Sequence, residues 1–397
     1  MWEQIRSNQI RSTILVLGMG LLLLAIGYIL GLYFFGNAIG GLIIALIVWA
    51  VLNLVALFRG DNILLGLSRA KKIRRDDLPR LYNVVEEMRI ASGLEKMPDI
   101  YVIDDPALNA FATGRDSKKA AVAITSGLLQ KLNRDELQGV IAHEIAHIKN
   151  RDVLLMVTCG VLLGTIVILA WYASRIMLFG GMAGGRRTSS GGGGGGLIIL
   201  AVAIVLMILA PIMAQLIYFA VSRKREYLAD ASSALYTRYP EGLASALEKL
   251  GASTAQLKSA NKATAPMYII NPFRKKGMSA SNLTSTHPPL SERIGILRSM
   301  AGGASLADYD QSYRQVHKVG GGVLPAPALA ASGAVGLRAA VPEEPSKLER
   351  ARETSDLMWR GSDYKSITCD CGTRLRVPPK FKASSVRCPH CGRIHRL

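Results

Sequence analysis

The sequence predicts a mainly α membrane protein: about four transmembrane helices, an α+β domain on their cytoplasmic side, and a small cysteine-ligated unit near the C-terminus. Three observations carry that prediction. Half of the 397 residues are hydrophobic, and the apolar residues pool in four long blocks. Basic clusters sit at the block ends that one orientation turns toward the cytoplasm. Four of the five cysteines stand as two close pairs near the C-terminus.

The blocks run over Thr13–Phe35, Ile39–Phe58, Val153–Phe179 and Leu197–Val221. Each is long enough to cross a hydrocarbon core about 30 Å thick at about 1.5 Å per residue. The first exceeds the apolar core of a secretory signal and no small-residue cleavage site follows it, so it reads as a retained anchor. Arg6 and Arg11 precede it, SRAKKIRR (Ser68–Arg75) follows the second block, and SRKRE (Ser222–Glu226) follows the fourth. By the positive-inside rule these segments are cytoplasmic, which gives a multi-pass protein of the cell (inner) membrane with both termini inside. Only Arg186 and Arg187, just before the glycine run Gly191–Gly196, oppose that orientation. Juxtamembrane basic flanks are a commoner cause of a net charge such as +19 than nucleic-acid binding. That makes the lipid bilayer an expected partner and nucleic acid not one. Cys159, alone in the third block, reads as a small apolar filler.

The chain divides into two spans (1–60), a soluble part (61–152), two more spans (153–221), a second soluble part (222–301), a linker (302–366) and a terminal unit (367–397). In the first soluble part, Asp77–Gly93 has helical period and ends at a glycine. Asp99–Asp104, Asn109–Gly114 and Ala120–Thr125 read as strands, the last two forming a hairpin. Asn133–Asp152 reads as a helix opened by an Asn133/Glu136 capping box. In the second soluble part, 222–238, Pro240–Gly251 and the end of Thr286–Met300 are helical in pattern. From Gly302 to Ser366 the chain is rich in Ala, Gly and Pro without clear period.

The chemistry starts at HEIAH. His143 and His147 are four residues apart, so on a helix both imidazoles leave one face. Glu144 projects about 100° round, placed to reach a metal-held water without binding the metal. This is the H-E-x-x-H arrangement for zinc, with two nitrogen ligands and a general base, and it gives the soluble domain a zincin-like reading. A catalytic zinc needs a third ligand. Glu226, at the exit of the fourth block, is the candidate if the third and fourth spans pack antiparallel. Pairing of Glu226 with Arg223 or Arg225 on a solvated face fits the helix pattern equally well. Asp230, one turn on, is placed to accept a ligand histidine's N–H.

HEIAH (His143–His147), REYLAD (Arg225–Asp230), NAFATG (Asn109–Gly114) and THPPLSER (Thr286–Arg293) occur in one order. Together they strongly resemble the HtpX-type membrane zinc metalloproteases, relatives of the CAAX prenyl endopeptidases, over about residues 1–300. The resemblance implies His143, His147 and Glu226 as catalytic zinc ligands and Glu144 as base. It implies an edge strand at Asn109, with Ala110 and Phe111 beside it, that pairs with the substrate backbone. It implies His287 and Arg293 as stabilisers of the oxyanion. The implied activity is endoproteolysis of polypeptides, misfolded or unassembled membrane proteins above all, at the cytoplasmic face. A CAAX-type prenyl-protein protease would want a larger chamber of more spans. A non-catalytic scaffold would leave the whole motif set idle.

The terminal unit holds Cys369, Cys371, Cys388 and Cys391 as C-x-C and C-x-x-C, with a glycine following each pair. Four thiolates at this spacing predict a closed structural zinc site, a zinc ribbon, and hence a second zinc. His390 and His395 are the substitute ligands the segment offers. Arg374, Arg376, Lys380, Lys382, Arg387 and Arg393 make the unit basic, which suits docking of substrate or partner before RNA or lipid headgroups.

Overall fold

The computed structural model describes residues 2–116, 118–153, 163, 165–171, 175, 204–205, 208–209, 211–212, 223–258, 268–270, 287–330, 333–342, 345–360, 364–378, 381 and 383–396. The first two apolar blocks become a helical hairpin, α1 (Trp2–Phe35) and α2 (Ala38–Leu67). Gly36 turns the chain at φ +63°, and the Asn37 side chain caps α2 by accepting from the amides of Ile39 (3.0 Å) and Gly40 (3.2 Å). The helices close up because facing residues are small. A Cβ at Gly31 would lie 2.7 Å from the Cα of Gly41, and one at Gly41 would lie 2.1 Å from the carbonyl oxygen of Gly27. Small residues four apart are what lets helices approach where lipid provides no hydrophobic drive. Ile39, Ile43, Ile47 and Leu54 point outward and are more than half exposed. Ala38–Val55, mean hydropathy 2.6, is long and apolar enough to cross a membrane, and Val16–Leu32 is a shorter apolar stretch. The expected third and fourth spans, with Cys159 and the glycine run, lie mostly outside the described residues.

The soluble parts assemble round a four-stranded sheet. Its strands β1 (Lys71–Lys72), β2 (Asp99–Ile103), β3 (Ala110–Asp116) and β4 (Lys119–Thr125) lie in the order β1-β2-β4-β3. β2 and β4 are parallel, with Ile100 opposite Val122 and Val102 opposite Ile124. β3 folds back antiparallel on β4 and forms an edge of the sheet. The period of two sorts the side chains. Ile100, Val102, Val122 and Ile124 enter the main core, while Ile103, Phe111, Ala121 and Ala123 pack on the other side with Leu65 and Tyr268.

α3 (Pro79–Ser92) starts at a proline and stops at Gly93 in the left-handed conformation. After the short α4 (Ser126–Lys131), α5 (Arg134–Lys149) begins at the Asn133/Glu136 capping box. Every residue of α5 from Asp135 to Ile148 is buried. It packs against α3, the sheet, and α7 (Pro240–Ala252), which follows α6 (223–237). The α5–α7 crossing is backbone-close: a Cβ at Gly139 would meet the Leu243 nitrogen at 2.6 Å, and one at Gly242 the Asp135 carbonyl oxygen at 2.6 Å. α8 (Leu290–Arg298) closes the core through Ile296 and Leu297.

The segment read as a linker is different in the structure. It carries α9 (Leu306–His317), α10 (Ala326–Ala330) and α11 (Lys347–Arg360), and it packs on the soluble domain. Ser305 and Asp308 form a capping box, and Tyr309, Arg350 and Thr354 are buried. Between these helices, Arg338 donates to Asp135 (2.7 Å), to Gln138 (2.8 Å) and to the Thr237 carbonyl (2.8 Å). The Val341 amide reaches the other Asp135 oxygen at 2.9 Å. α9 and α11 each bury one face, through Leu306 and Tyr309 and through Leu357, but the Ala-, Gly- and Pro-rich stretches around them dilute that pattern, and the polar clasp leaves no apolar period at all. Beyond α11, two hairpins, β5 (Lys365–Thr368) with β6 (Arg374–Val377) and β7 (Ser385–Arg387) with β8 (Ile394–Arg396), present the four cysteines. Arg376 ties them to α11 through Asp356 and by stacking over Trp359 at 5.1 Å.

The clasp predicts a measurable cost. Arg338→Ala strips Asp135 and Gln138 of their guanidinium partner at the start of α5. The loss should be about 1–3 kcal/mol, read as a lower thermal unfolding midpoint with the same fold by circular dichroism.

Candidate active site

α5 and α6 cross so that their polar residues meet inside the core. The i, i+4 spacing puts His143 and His147 on one face of α5, with their Nε2 atoms 3.2 Å apart. From α6, Glu226 brings Oε1 to 3.4 Å from the His147 Nε2 and Oε2 to 3.7 Å from the His143 Nε2. All three side chains are buried. Four ligands at tetrahedral zinc distances of about 2.0–2.1 Å are separated by roughly 3.3 Å; one ligand atom from each of these three residues lies within 4.8 Å of the others, near enough to share one ion.

The other face of each imidazole meets a carboxylate. His143 Nδ1 lies 3.0 Å from Asp230, and His147 Nδ1 lies 3.3 Å from Asp152. Asp152 was not among the residues singled out from the sequence; its only signal there is its place five residues beyond His147. Each carboxylate is in turn held by an arginine. Arg293 binds Asp230 through two contacts of 2.7 and 2.6 Å, and Arg225 approaches Asp152 at 3.3 Å. Three buried carboxylates, Asp152, Glu226 and Asp230, thus face two buried guanidiniums. With the imidazoles neutral, as metal ligation requires, an ionised Glu144 leaves the cluster two negative charges in excess, which a divalent cation balances. The donor set therefore fits zinc.

Protonation follows from this crowding. Burial pulls His143 down. Burial also acts against charge on His147, but hydrogen bonds to Asp152 and Glu226 outweigh it and push the imidazole up to about 10. Burial would raise Glu226, yet the charge of His287 and hydrogen bonds from His147 and His287 hold it well below the usual carboxylate range. Glu144 is pushed up to about 7, mainly by burial. The Ala112 amide of β3 stabilises its charged form, and its Oε1 is buried without a partner.

Arg293 stands differently from the oxyanion contact that the resemblance implies. It is fully buried, with Nε and Nη2 on Asp230 and Nη1 on the Ile269 carbonyl (3.3 Å) and Glu226 (3.2 Å). Its donors are committed to bracing the carboxylates rather than facing the cleft. His287 Nδ1 lies 3.0 Å from Glu226. The cleft itself is lined by Ala112, Glu144, His147, Val153, Glu226, Tyr268 and Ile269.

The expected substrate strand is partly occupied by the chain itself. The Ile269 amide donates to the Ala110 carbonyl (3.0 Å), and the Asn109 side chain donates to the Ile270 carbonyl (3.2 Å). Phe111 is buried, edge-on to Tyr268 at 5.1 Å, and the Tyr268 hydroxyl meets Ser68 at 3.2 Å. Tyr268–Ile270 thus lies along the start of the β3 edge.

In the terminal unit, Cys369 and Cys391 Sγ are 3.4 Å apart and Cys371 and Cys388 Sγ are 3.7 Å apart. Thiolates on a tetrahedral zinc at about 2.3 Å are separated by roughly 3.8 Å, so this set also fits the metal. Gly372 and Gly392 take φ +83° and +76°, making the tight turns after each pair.

Comparison with known proteins agrees with the motifs. Residues 75–301 match the profile described as peptidase family M48. Protease HtpX homolog of Dictyoglomus thermophilum is 45% identical over 299 residues, covering 75% of this chain and 94% of the relative. The Streptococcus uberis protein of the same name is 40% identical, covering 76% of this chain and all of the relative. The crystal structure of S. mikatae Ste24p aligns with TM-score 0.42 and 22% identity, over 75% of this chain and 67% of that one. On the family match and the HtpX relatives, the chain belongs to peptidase family M48 and is a metalloprotease of the HtpX type.

Proposed function

We propose that this chain is a multi-pass zinc endopeptidase of the cell membrane that cleaves misfolded or unassembled membrane proteins at the cytoplasmic face. The observation that carries the reading is the trio of buried ligand groups gathered for one metal, with the Glu144 carboxylate, one oxygen of which has no partner, beside them in one cleft. His143, His147 and Glu226 would hold the catalytic zinc. When bound, zinc polarises the scissile carbonyl and acidifies a water. Glu144 would act as the general base, accepting a proton from the attacking water and passing it to the leaving amine, and the Ala112 amide holds the carboxylate in place. Asp230, Asp152 and the two arginines keep the imidazoles oriented. His287, against Glu226, is the residue placed to share negative charge developing on substrate oxygen. An extended peptide adds to the β3 edge, with Asn109, Ala110 and Phe111 at its start. There it competes with Tyr268–Ile270 for the Ala110 carbonyl.

The Cys369, Cys371, Cys388 and Cys391 set would hold a second, structural zinc. Its anchoring on α11 keeps the basic ribbon at a fixed place on the protease, which suits recruitment of substrate or partner. The α1–α2 hairpin, leading directly into β1, keeps the site close to the bilayer.

The test is cleavage of an unfolded model protein by the detergent-purified, zinc-loaded chain. Glu144→Gln should keep its zinc and lose at least about 100-fold in rate. Turnover near the wild-type rate in that variant would sink the assignment. A pH profile tests the same group. Burial pushes the Glu144 carboxyl up to about 7, and only its ionised form is a base. A neighbouring cation favours that form, so kcat/KM should rise with pH along an acid limb whose apparent pKa is no higher than about 7. A rate that rises as the pH is lowered through that range would remove Glu144 as the base. Glu226→Gln should bind one zinc per chain less than wild type, measured by metal analysis after dialysis.

A further inference from the structure

The two metal-binding imidazoles are supported by parallel sets of residues, only one of which the motifs announce. On one side His143 meets Asp230, which Arg293 grips. On the other His147 meets Asp152, which lies 3.3 Å from Arg225. Asp152 is fully buried and Arg225 is 5% exposed. The backbone goes out of its way to bring Asp152 there. α5 ends at Lys149, Asn150 caps it, and Arg151 takes φ +57°. A non-glycine residue is uncommon in that region, where its Cβ crowds the following carbonyl. The turn bends the chain back under the last helical residues, and Asp152 arrives beneath His147. Arg225 then closes the loop from the other helix: its Nη1 also donates to the Asp152 carbonyl at 3.4 Å, and it is the residue immediately before Glu226.

We propose that Asp152, backed by Arg225, is the positioning residue for His147. The proposal rests on the zinc-site reading. The Asp152 carboxylate accepts from the Nδ1–H of His147, so the proton sits on that nitrogen and Nε2 faces the metal with its lone pair free. A carboxylate behind the ring also raises its basicity toward zinc. Arg225 fixes the carboxylate and links the turn after α5 to the start of α6. The same pair of side chains therefore sets how far His147 stands from Glu226. Neither residue faces the substrate.

Zinc affinity tests this directly, by competition with a chelator of known affinity. The zinc in question is the equivalent that Glu226→Gln removes. Asp152→Ala should weaken that equivalent about 10- to 100-fold, and Asp152→Asn, which keeps the shape and loses the charge, by about 10-fold. Arg225→Met should weaken it alone and add nothing further in the Asp152→Asn background, since it acts through Asp152. Melting of the metal-free proteins separates a purely structural role, which would lower the midpoint and leave affinity unmoved. Wild-type zinc affinity in folded Asp152→Asn and Asp152→Ala would overturn the proposal, and additive effects in the double variant would remove Arg225 from it. Equal zinc content in wild type and Glu226→Gln would instead overturn the zinc-site reading, and this proposal with it.

Discussion

The structure depends on keeping negative charge in the interior. Asp152, Glu226 and Asp230 are all buried within reach of two histidines and two arginines. Such a cluster is costly unless every carboxylate is compensated. The compensation dictates the surrounding fold. α6 must cross α5 where the histidines point, α8 must bring Arg293 under Asp230, and the chain after α5 must turn back to bring Asp152 home. The glycine-close crossing of α5 with α7 fixes the helix that everything else leans on.

The same arrangement explains why a polar helix can be buried from end to end. α5 presents Leu137, Ile141 and Ile148 to the core, while the polar positions of its first turns are satisfied one by one. Glu136 caps the first turn and binds Lys249; Asp135 and Gln138 are taken by Arg338. Part of that satisfaction comes from residues C-terminal to the M48 match, which ends at 301. The C-terminal segment is thus structural support for α5 as well as a tether for the two cysteine-bearing hairpins.

β3 has two duties that pull against each other. Its inward groups bind β4, and its outward groups at Ala110 and Ala112 are met by Ile269 and Glu144. An edge strand left open would be an aggregation liability in a protein that acts on polypeptides. Covering its start with Tyr268–Ile270 blunts that liability at the place where a peptide would pair.

Much was legible in the sequence because it is local. The period of 3.6 in α5, its capping box, the alternation of β2 and β4, the turn glycines of the cysteine pairs and the i, i+4 histidines each need only a dozen neighbouring residues. Their observed bounds differ from the sequence reading by a few residues at most, as with α3 at Pro79–Ser92 and α5 at Arg134–Lys149. What the sequence could not show is contact between residues far apart in the chain. Arg338 meets Asp135 across 203 positions and Asn109 meets Ile270 across 161. Neither leaves a periodic trace, so the clasp read as linker and the covered edge went unseen. Arg293 was visible as a motif residue, but its direction was not. Only packing decided that its guanidinium turns to Asp230, because a buried carboxylate without a cation beside it is the costlier arrangement.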